Sequence, residues 1–327
     1  MSDAAPRVSV IIPLFNKAPY IRRCLESALA QTLRPFEVVV VDDGSTDDSA
    51  SIVEEYRARE PRIRLLRQHN SGPGAARNHA AAEASGELLA MLDADDEWKP
   101  THVAETVRTL VAYPNSAALF RAAIESPWDV SSGERWRQGG VESGPCRLTP
   151  NVPAGFLNAI VAAVGTSGVV IRKREFDEVG GFYSADRCRF GEDTHLWVKL
   201  LLNYEVTIAC EPLVHRHCEV SELAIHWKGV RPIEPFLSDD RDLVANCPAK
   251  MRPVLREFLA LRACKTASVY GYVGQHSRAR DLVRRFVAPA DWHLPWFFVA
   301  LISCTPAAKW LAAVVRISGI NLRQQRA

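Results

Sequence analysis

The sequence predicts an α/β fold built on an open, mainly parallel sheet with flanking helices, followed by a C-terminal helical extension. Three observations indicate this. Apolar, β-branched runs alternate with segments of helical periodicity over roughly the first hundred residues, a pattern typical of βαβ units. These runs lack the alternation of half-exposed strands, which indicates strands covered on both faces. From about residue 232 the periodicity is helical.

Four apolar runs account for the predicted strands of the first half. They are residues 8–14, 36–41, 63–66 and 88–92. Pro19 opens the first predicted helix, and the glycine-rich loop 71–74 leads into a helix over residues 75–84 that ends at Gly86. The helix after the fourth strand is marked by Val103, Val107, Leu110 and Val111.

Composition and charge exclude several classes of protein. A hydrophobic content of 47% and a charged content of 24% are ordinary for a globular chain of 327 residues. The net charge of +2 argues against a nucleic-acid binder that relies on electrostatic attraction. The eight cysteines are scattered without a C-x-x-C pair, so neither a zinc site nor a disulfide framework is indicated. Residues 1–7 lack the apolar core of a signal peptide, so we expect a cytosolic catalytic body.

Two carboxylates follow the fourth predicted strand. Side chains two positions apart in extended chain point the same way, so we expect Asp93 and Asp95 to converge, with the small Ala94 between them. Converging carboxylates need a positive partner, and a divalent cation is the usual one. The alternative is that Asp95 or Asp96 only turns the chain and caps the next helix.

Polar clusters also follow the other three strands. They are residues 13–16, the pair Asp42 and Asp43, and the loop 71–77. Ligands of open α/β sheets bind outside the carboxyl ends of the strands, so all four clusters are expected along one edge. Neither G-x-G-x-x-G after the first strand nor a P-loop motif occurs, which argues against dinucleotide oxidoreductases and P-loop phosphotransferases.

Four motifs together resemble a known family. VSVIIPLFNKAPYI, VVVDDGSTD, NSGPGAARNHA and LLAMLDADDEW, in this order and spacing, look like the donor half of family 2 glycosyltransferases, which have the GT-A fold. The resemblance is close over residues 7–115 and looser to about residue 220. It implies an inverting transferase that uses a nucleoside-diphosphate sugar, with a UDP-sugar favoured, and Mn²⁺ or Mg²⁺. It also implies a donor half over residues 1–115 and an acceptor half over residues 116–231, with residues 232–327 as the helical extension.

The resemblance assigns four residues to the nucleotide. Pro13 would flank the nucleoside, and one of Asp42 and Asp43 would accept a hydrogen bond from the base. We favour Asp43, because Asp42 should point to the opposite face. Arg77 would reach the base or the diphosphate from the first turn of its helix. The alternatives are turn and capping roles for the two acids and a solvated surface position for Arg77.

The resemblance also assigns metal and catalytic residues. Asp95 would bind the metal directly, Asp93 would lie near the ribose or the metal, and His217 would contact the metal or a phosphate, although the spacing around His217 departs from the family pattern. Asp193, within GGFYSADRCRFGEDTHLWVKL, would be the base that deprotonates the acceptor hydroxyl. The alternative is that Asp193 only stabilises the N-terminus of a helix, by capping it and through its negative charge. An ordinary surface histidine is the alternative for His217.

The second half is predicted in less detail. Residues 166–172 indicate a strand that returns to the sheet, and residues 254–261 indicate an amphipathic helix. Segments 263–273 and 277–287 look like a helical hairpin around Gly274. The apolar region 292–320 is interrupted at Pro306, so it is too short to span a membrane. We expect it to rest on a membrane surface, or else to pack on the catalytic domain or on a second copy.

The predicted function is transfer of a sugar to a hydroxyl of a glycan or a lipid-linked oligosaccharide, in polysaccharide biosynthesis of the cell envelope. The enzyme would be cytosolic or peripheral on the cytosolic membrane face. A nucleotidyltransferase is the rival enzyme, but it would need a basic glycine-rich loop after the first strand. A non-catalytic glycan- or nucleotide-binding module would not need Asp95 and Asp193 together.

Overall fold

The computed structural model describes residues 5–221 and 230–305. Within these ranges ten strands form one sheet. The strands are β1 Val8–Leu14, β2 Glu37–Asp42, β3 Ile63–Arg67, β4 Leu88–Met91, β5 Glu97–Trp98, β6 Ser116–Ser126, β7 Val130–Ser131, β8 Gly144–Cys146, β9 Val169–Arg172 and β10 Glu205–His217. The four strands predicted for the first half are therefore present, each with ends within one residue of the expectation.

Helices of the described residues cover both faces of this sheet. They are α1 Ile21–Leu29, α2 Ser49–Arg57, α3 Pro73–Glu83, α4 His102–Ala112, α5 Ser132–Gln138, α6 Ala154–Ala163, α7 Lys173–Glu178, α8 Glu192–Asn203, α9 Pro235–Ser238, α10 Arg241–Asn246, α11 Arg252–Tyr272, α12 His276–Phe286 and α13 Phe297–Ser303. Short 3₁₀ turns connect some of them. One of these, Thr166–Gly168, occupies the start of the segment predicted as a strand.

The order of the main sheet is β3-β2-β1-β4-β9-β6-β10-β5. Strands β3, β2, β1 and β4 are mutually parallel, whereas β9 is antiparallel to both of its neighbours, β4 and β6. The predicted α/β class with flanking helices is confirmed, and the sheet is mixed, with four parallel and five antiparallel strand pairs among the described residues. Because β1 to β4 run the same way, their carboxyl ends meet at one edge, and the polar clusters that follow them lie there.

The core divides on the two faces of the sheet as strand alternation requires. In β1, Ile11 packs into the larger cluster with residues of α3, α6, α8 and α11. Its neighbours Val10 and Ile12 pack into the other cluster with residues of α1, α2 and α4. The predicted helix α4 is present and contains all four marking residues; Val103, Val107 and Leu110 are buried, whereas Val111 is 60% exposed.

The C-terminal region is helical, as predicted, but its first two predicted helices are one. Helix α11 runs unbroken for 21 residues, because nothing between residues 261 and 263 interrupts the helical backbone. Gly274 at φ +81° then turns the chain into α12, which is the predicted hairpin. Helix α13 packs closely on α11, since a Cβ at Gly271 would lie 2.2 Å from the Cβ of Ser303.

The apolar C-terminal segment 292–320 is only partly described. Leu294 and Phe297 are buried, whereas Trp292 and Phe298 are each 63% exposed. The rest of the segment, from residue 306, lies outside the described residues. Within residues 5–221 and 230–305, no helix combines the length and the apolar character that crossing a membrane requires.

Candidate active site

The acidic stretch after β4 forms a turn. The Asp96 amide donates to the Asp93 carbonyl at 3.0 Å, so the extended conformation expected for Asp93-Ala94-Asp95 is wrong. The reason is the buried side chain of Asp96, whose carboxylate accepts from the His217 amide at 3.0 Å and from the Ser167 hydroxyl at 2.5 Å. Burial, with the charges of Asp95 and Asp93, raises the pKa of Asp96 to about 7.

Arg77 joins this turn to the start of α8. Its guanidinium is 5% exposed, with Nη2 at 2.7 Å from Asp93 Oδ1 and Nη1 at 3.0 Å from Glu192 Oε1. The guanidinium also lies over the ring of Phe182, 5.1 Å from its centroid. Burial alone lowers the pKa of Arg77, but the two carboxylates more than offset this and raise it. The residue is therefore a buried, fixed cation and not the solvated surface arginine of the alternative interpretation.

Asp95 is paired with a different basic side chain, that of Lys17. Its Oδ2 lies 2.7 Å from Lys17 Nζ, and the two side chains are 14% and 19% exposed. Its backbone carbonyl accepts from Arg23 Nη2 at 2.7 Å. The turn thus presents two carboxylates, on Asp93 and Asp95, that are each paired with a separate basic side chain.

The donor set of the turn fits a divalent cation that is shared with a substrate. Hard cations such as Mg²⁺ and Mn²⁺ prefer carboxylate oxygens, and Mg²⁺ is commonly held by one or two carboxylates together with substrate phosphates. Asp93 and Asp95 are partly exposed at the sheet edge, as this requires. Among the residues that the structure describes, no three His, Cys, Asp or Glu side chains form a ready-made metal site.

His217 is placed beside the turn but faces carboxylates. Its Nε2 lies 3.1 Å from Glu97 Oε1, and its Nδ1 lies 3.0 Å from Glu219 Oε1. Each ring nitrogen faces a carboxylate in this arrangement, and the role of His217 as a metal or phosphate contact remains a prediction. The backbone amide of His217, rather than its ring, contacts the turn through Asp96.

The two acids after β2 hold loops at the same edge. Asp43 accepts from the Ser71 amide at 2.8 Å and the Gly72 amide at 2.9 Å, which ties β2 to the loop before α3. Asp42 accepts from the Ser45 amide at 3.0 Å. Both carboxylates therefore have the turn-stabilising role of the alternative interpretation, and the nucleotide role of Asp43 remains a prediction. Pro13, at the end of β1, is partly exposed at this edge.

Helix α8 begins with two acids in different environments. The Glu192 side chain is buried against Arg77, and burial and the charge of Asp193 raise its pKa. Asp193 is partly exposed, and its Oδ2 accepts from the Thr166 hydroxyl at 3.4 Å. Its Oδ1 accepts from the adjacent Thr194 amide at 2.6 Å, so Asp193 also contributes to the helix terminus as the capping alternative expects.

Sequence reasoning missed several residues that organise this site. Lys17 pairs with Asp95, Glu192 pairs with Arg77, and Ser167 bonds Asp96. Arg216 Nη1 lies 2.7 Å from Glu125 Oε1. Glu192 had a visible signal, because it directly precedes Asp193, but nothing local indicates that its partner lies 115 positions away.

Comparison with known proteins agrees with the predicted family. Residues 9–149 match the family described as Glycosyl transferase family 2. The uncharacterized glycosyltransferase YibD of Escherichia coli K12 is 39% identical over 152 residues, which are 44% of this chain and 44% of that protein. The match thus spans less than half the length of that relative. The predicted resemblance to family 2 glycosyltransferases is thereby confirmed.

Two solved structures extend the likeness to the whole fold. S. aureus TarS 1–349 in complex with UDP-GlcNAc has a TM-score of 0.72 at 20% identity, covering 95% of this chain and 92% of that one. The mannosyltransferase PcManGT of Pyrobaculum calidifontis, in complex with GDP-Man and Mn²⁺, has a TM-score of 0.52 at 20% identity, covering 99% and 83%. The fold is thus of the GT-A type, with the predicted C-terminal helices present.

Proposed function

We propose that this protein is an inverting glycosyltransferase that moves a sugar from a nucleoside-diphosphate sugar to a hydroxyl of a glycan or lipid-linked oligosaccharide. The observation that carries the proposal is the position of Arg77. Its guanidinium binds Asp93 of the donor-side turn and Glu192 at the start of α8. One buried cation therefore holds the two acidic segments of a transferase site together, although they are far apart in the chain.

Asp193 would act as the general base. The partly exposed carboxylate takes the proton from the acceptor hydroxyl while that oxygen forms its bond to the anomeric carbon, and the bond to the diphosphate oxygen breaks on the opposite side of the sugar. Glu192 does not compete for this role, because its carboxylate is buried and bound to Arg77. The Thr166 hydroxyl, 3.4 Å from Asp193 Oδ2, orients the base.

Asp95 and Asp93 would hold Mn²⁺ or Mg²⁺ together with the donor diphosphate. Such an ion neutralises charge that builds on the leaving diphosphate. Support comes from the two partly exposed carboxylates of the turn and from the Mn²⁺ named with the similar mannosyltransferase. Lys17 pairs with Asp95, so we expect metal binding to release Lys17 from this pair.

The donor we propose is a UDP-sugar, and support comes from a similar structure, with a TM-score of 0.72, that is a complex with UDP-GlcNAc. Pro13 and Asp43 would flank the nucleoside at the carboxyl ends of β1 and β2. For Asp43 to bind the base, its carboxylate must keep Gln68 Nε2 and the loop amides of Ser71 and Gly72 while accepting one more donor. A carboxylate has enough lone pairs for this.

A panel of nucleotides and nucleotide sugars tests the proposal directly. We expect UDP and a UDP-sugar to raise the melting temperature of the protein in the presence of Mn²⁺, and EDTA to remove the effect. GDP, ADP and CMP serve as matched controls for the base. A protein that no nucleotide stabilises, with or without metal, would contradict the transferase assignment. Stabilisation by nucleotides without any sugar transfer would favour the non-catalytic binding module.

We also propose that the C-terminal helices rest on a membrane surface, where a lipid-linked acceptor would be found. The support is a group of exposed apolar side chains on and before α13, formed by Trp292, Phe298, Leu301 and Ile302. Aromatic and aliphatic residues of this kind insert at the boundary between head groups and acyl chains. Their exposure in the structure leaves them available to lipid or to a second copy of the chain.

The membrane proposal is tested by substitution rather than truncation, because Leu294 and Phe297 are part of the core. We expect the full chain to co-sediment with vesicles of anionic lipid, and Trp292→Ser with Phe298→Ser to remain in the supernatant. Val111→Ser, at an exposed apolar position on α4, is the matched control. Wild-type protein that stays in the supernatant would contradict the proposal, and a dimer broken by the double variant would favour a second copy.

A further inference from the structure

A polar cavity lies on the face of the sheet that α4 covers. Its volume is about 290 Å³, and its walls are Thr101, Glu105, Arg108, Arg121, Glu211 and Leu213. At about 30 Å³ per water molecule, this space holds roughly ten waters or a small ion with part of its hydration shell. None of these residues belongs to the two acidic segments of the candidate active site.

The cavity is built around an irregularity in the sheet. Strands β6 and β10 are in register where Arg121 pairs with Ala209, and again where Ala123 pairs with Val214. Between these pairs, residues 210–213 of β10 lie opposite the single residue Ala122 of β6. Bulges of this kind bend a strand and redirect side chains, and they are frequent beside binding sites. Here the bulge carries Glu211 and Leu213 to the cavity wall.

Arg121 is the unusual residue of this cavity. It belongs to the face of β6 that also carries Leu119 and Ala123, which are fully buried apolar residues of the core. Arg121 itself is only 5% exposed, and its Nε is buried without a hydrogen-bond partner. Within the described residues, its guanidinium has neither a hydrogen bond nor an ion pair. A buried charge without a partner is destabilising. A negatively charged group beside Arg121 would therefore stabilise the protein.

The surrounding side chains do not supply that group. Glu105 is paired with Arg108, and burial holds the pKa of His102 well below its ordinary value, which keeps that ring neutral. Burial lowers the pKa of Arg121 to about 10, although Glu105 and Glu211 act against this from a longer range. Arg77 is equally buried and its Nε likewise has no partner, but its two Nη atoms have carboxylates at 2.7 Å and 3.0 Å.

We propose that this cavity binds a small oxyanion, of phosphate or carboxylate type, through the guanidinium of Arg121. The planar guanidinium matches two oxygens of such an anion in a bidentate pair. Thr101, the residue before the first turn of α4, adds a hydroxyl and places the cavity at the positive end of that helix. The site is separate from the donor turn, and it does not depend on the proposed transfer reaction.

Thermal unfolding of the full chain in metal-free Tris chloride buffer tests the site, with inorganic phosphate, acetate and chloride compared at matched ionic strength. We expect phosphate, acetate or both to give a saturable rise in melting temperature of about 3 °C or more, and chloride to give none. Arg121→Leu continues the apolar row of β6, so it should abolish the response and should melt above the wild type in buffer free of oxyanions. Arg59→Leu removes an exposed arginine and should respond like the wild type.

Two outcomes would overturn the proposal: an undiminished response in Arg121→Leu, or a wild-type response no larger than that to chloride. Should Arg121→Leu fail to fold, Arg121→Lys keeps the charge but loses the bidentate geometry. Its half-saturating phosphate concentration should rise at least about tenfold, a loss of one strong hydrogen bond. Crystals of the wild type grown in the anion that stabilises it, phosphate or acetate, should then show that anion on Arg121, and water alone at that position would refute the site.

Discussion

The turn at residues 93–96 and the start of α8 both present paired acids, yet they are built differently. In the turn, the buried acid is the last one, Asp96, and it is held by neutral donors, the Ser167 hydroxyl and the His217 amide. At the start of α8, the buried acid is the first one, Glu192, and it is held by the charged Arg77. In each segment, one acid supports the structure and a neighbouring acid remains accessible.

This difference indicates which acid of each segment can contact a substrate or a metal ion. Burial raises the pKa of Asp96 and of Glu192, because a carboxylate that leaves water is destabilised in its charged form. Asp95 and Asp193, by contrast, are partly exposed. The accessible member of each segment is the one suited to bind a cation or accept a proton, and the buried member fixes its position.

The largest expected effect concerns Asp193. Asp193→Asn keeps the shape and most of the helix-terminal hydrogen bonding, since Asn and Asp cap helices about equally. We expect donor affinity to be unchanged and the rate of transfer to fall by about 10²- to 10⁴-fold, measured as transfer per enzyme with saturating donor. Asp177→Asn, an exposed acid on α7, is the control. A folded Asp193→Asn protein with near-normal transfer would return this residue to the capping role.

The next effect concerns Asp95. Asp95→Asn removes the charge that a divalent ion needs while keeping the side-chain shape, so we expect metal-dependent donor binding to be lost and turnover to fall by about 10²-fold or more. Calorimetric titration of UDP with and without Mn²⁺ measures the metal-dependent donor binding. Asp48→Asn, at an exposed position, is the control. Full activity of the wild type in excess EDTA would show that this turn does not work through a metal.

The two cations of the site provide a stability comparison. Arg77→Met leaves Glu192 buried without its partner, so we expect the free energy of unfolding to fall by about 3–5 kcal/mol. Lys17→Met breaks a pair that is in partial contact with water and should cost about 1 kcal/mol or less. Urea unfolding measures both. Equal losses would mean that the buried pair contributes no more than the accessible one.

The sequence predicted the fold well where structure is local. Strands such as 8–14 and the helical hairpin around Gly274 are specified by apolar periodicity and by one glycine, which are properties of neighbouring residues. The polar clusters after the strands were placed on one edge by a general rule of α/β sheets. That rule does not depend on any particular contact.

The arrangement inside the site could not be predicted in the same way. The bent turn at Asp93 depends on Ser167 and on the backbone of His217, which are 71 and 121 positions from Asp96. Which of Glu192 and Asp193 is buried depends on Arg77, which arrives from α3. Such contacts are decided by tertiary packing, and no local pattern in the sequence records them.

The smallest expected effect is a pH dependence that distinguishes the buried acid of α8. Burial, and then the charge of Asp193, raise the pKa of Glu192 from 4.5 to about 7. The folded state therefore holds a proton that the unfolded state has lost, so this group's contribution to stability is present below pH 4.5 and is lost as the pH rises through about 7. Glu192→Gln removes this titration. The stability of the wild type relative to Glu192→Gln should thus decline between pH 5 and 7, by at most about 1.4 kcal/mol per pH unit, and level off above.

Urea unfolding midpoints at half-unit pH steps measure this difference, and comparing the two proteins isolates Glu192. His195, on the same helix, titrates in the opposite sense, because burial, and then Lys199, lower its pKa to about 4. Its contribution is lost as the pH falls below 6.5. That change, like the titration of Asp96, is common to both proteins and cancels in the difference. A difference that stays constant from pH 5 to 8 would mean that Glu192 remains ionised against Arg77. The two acids of α8 would then differ in exposure but not in charge.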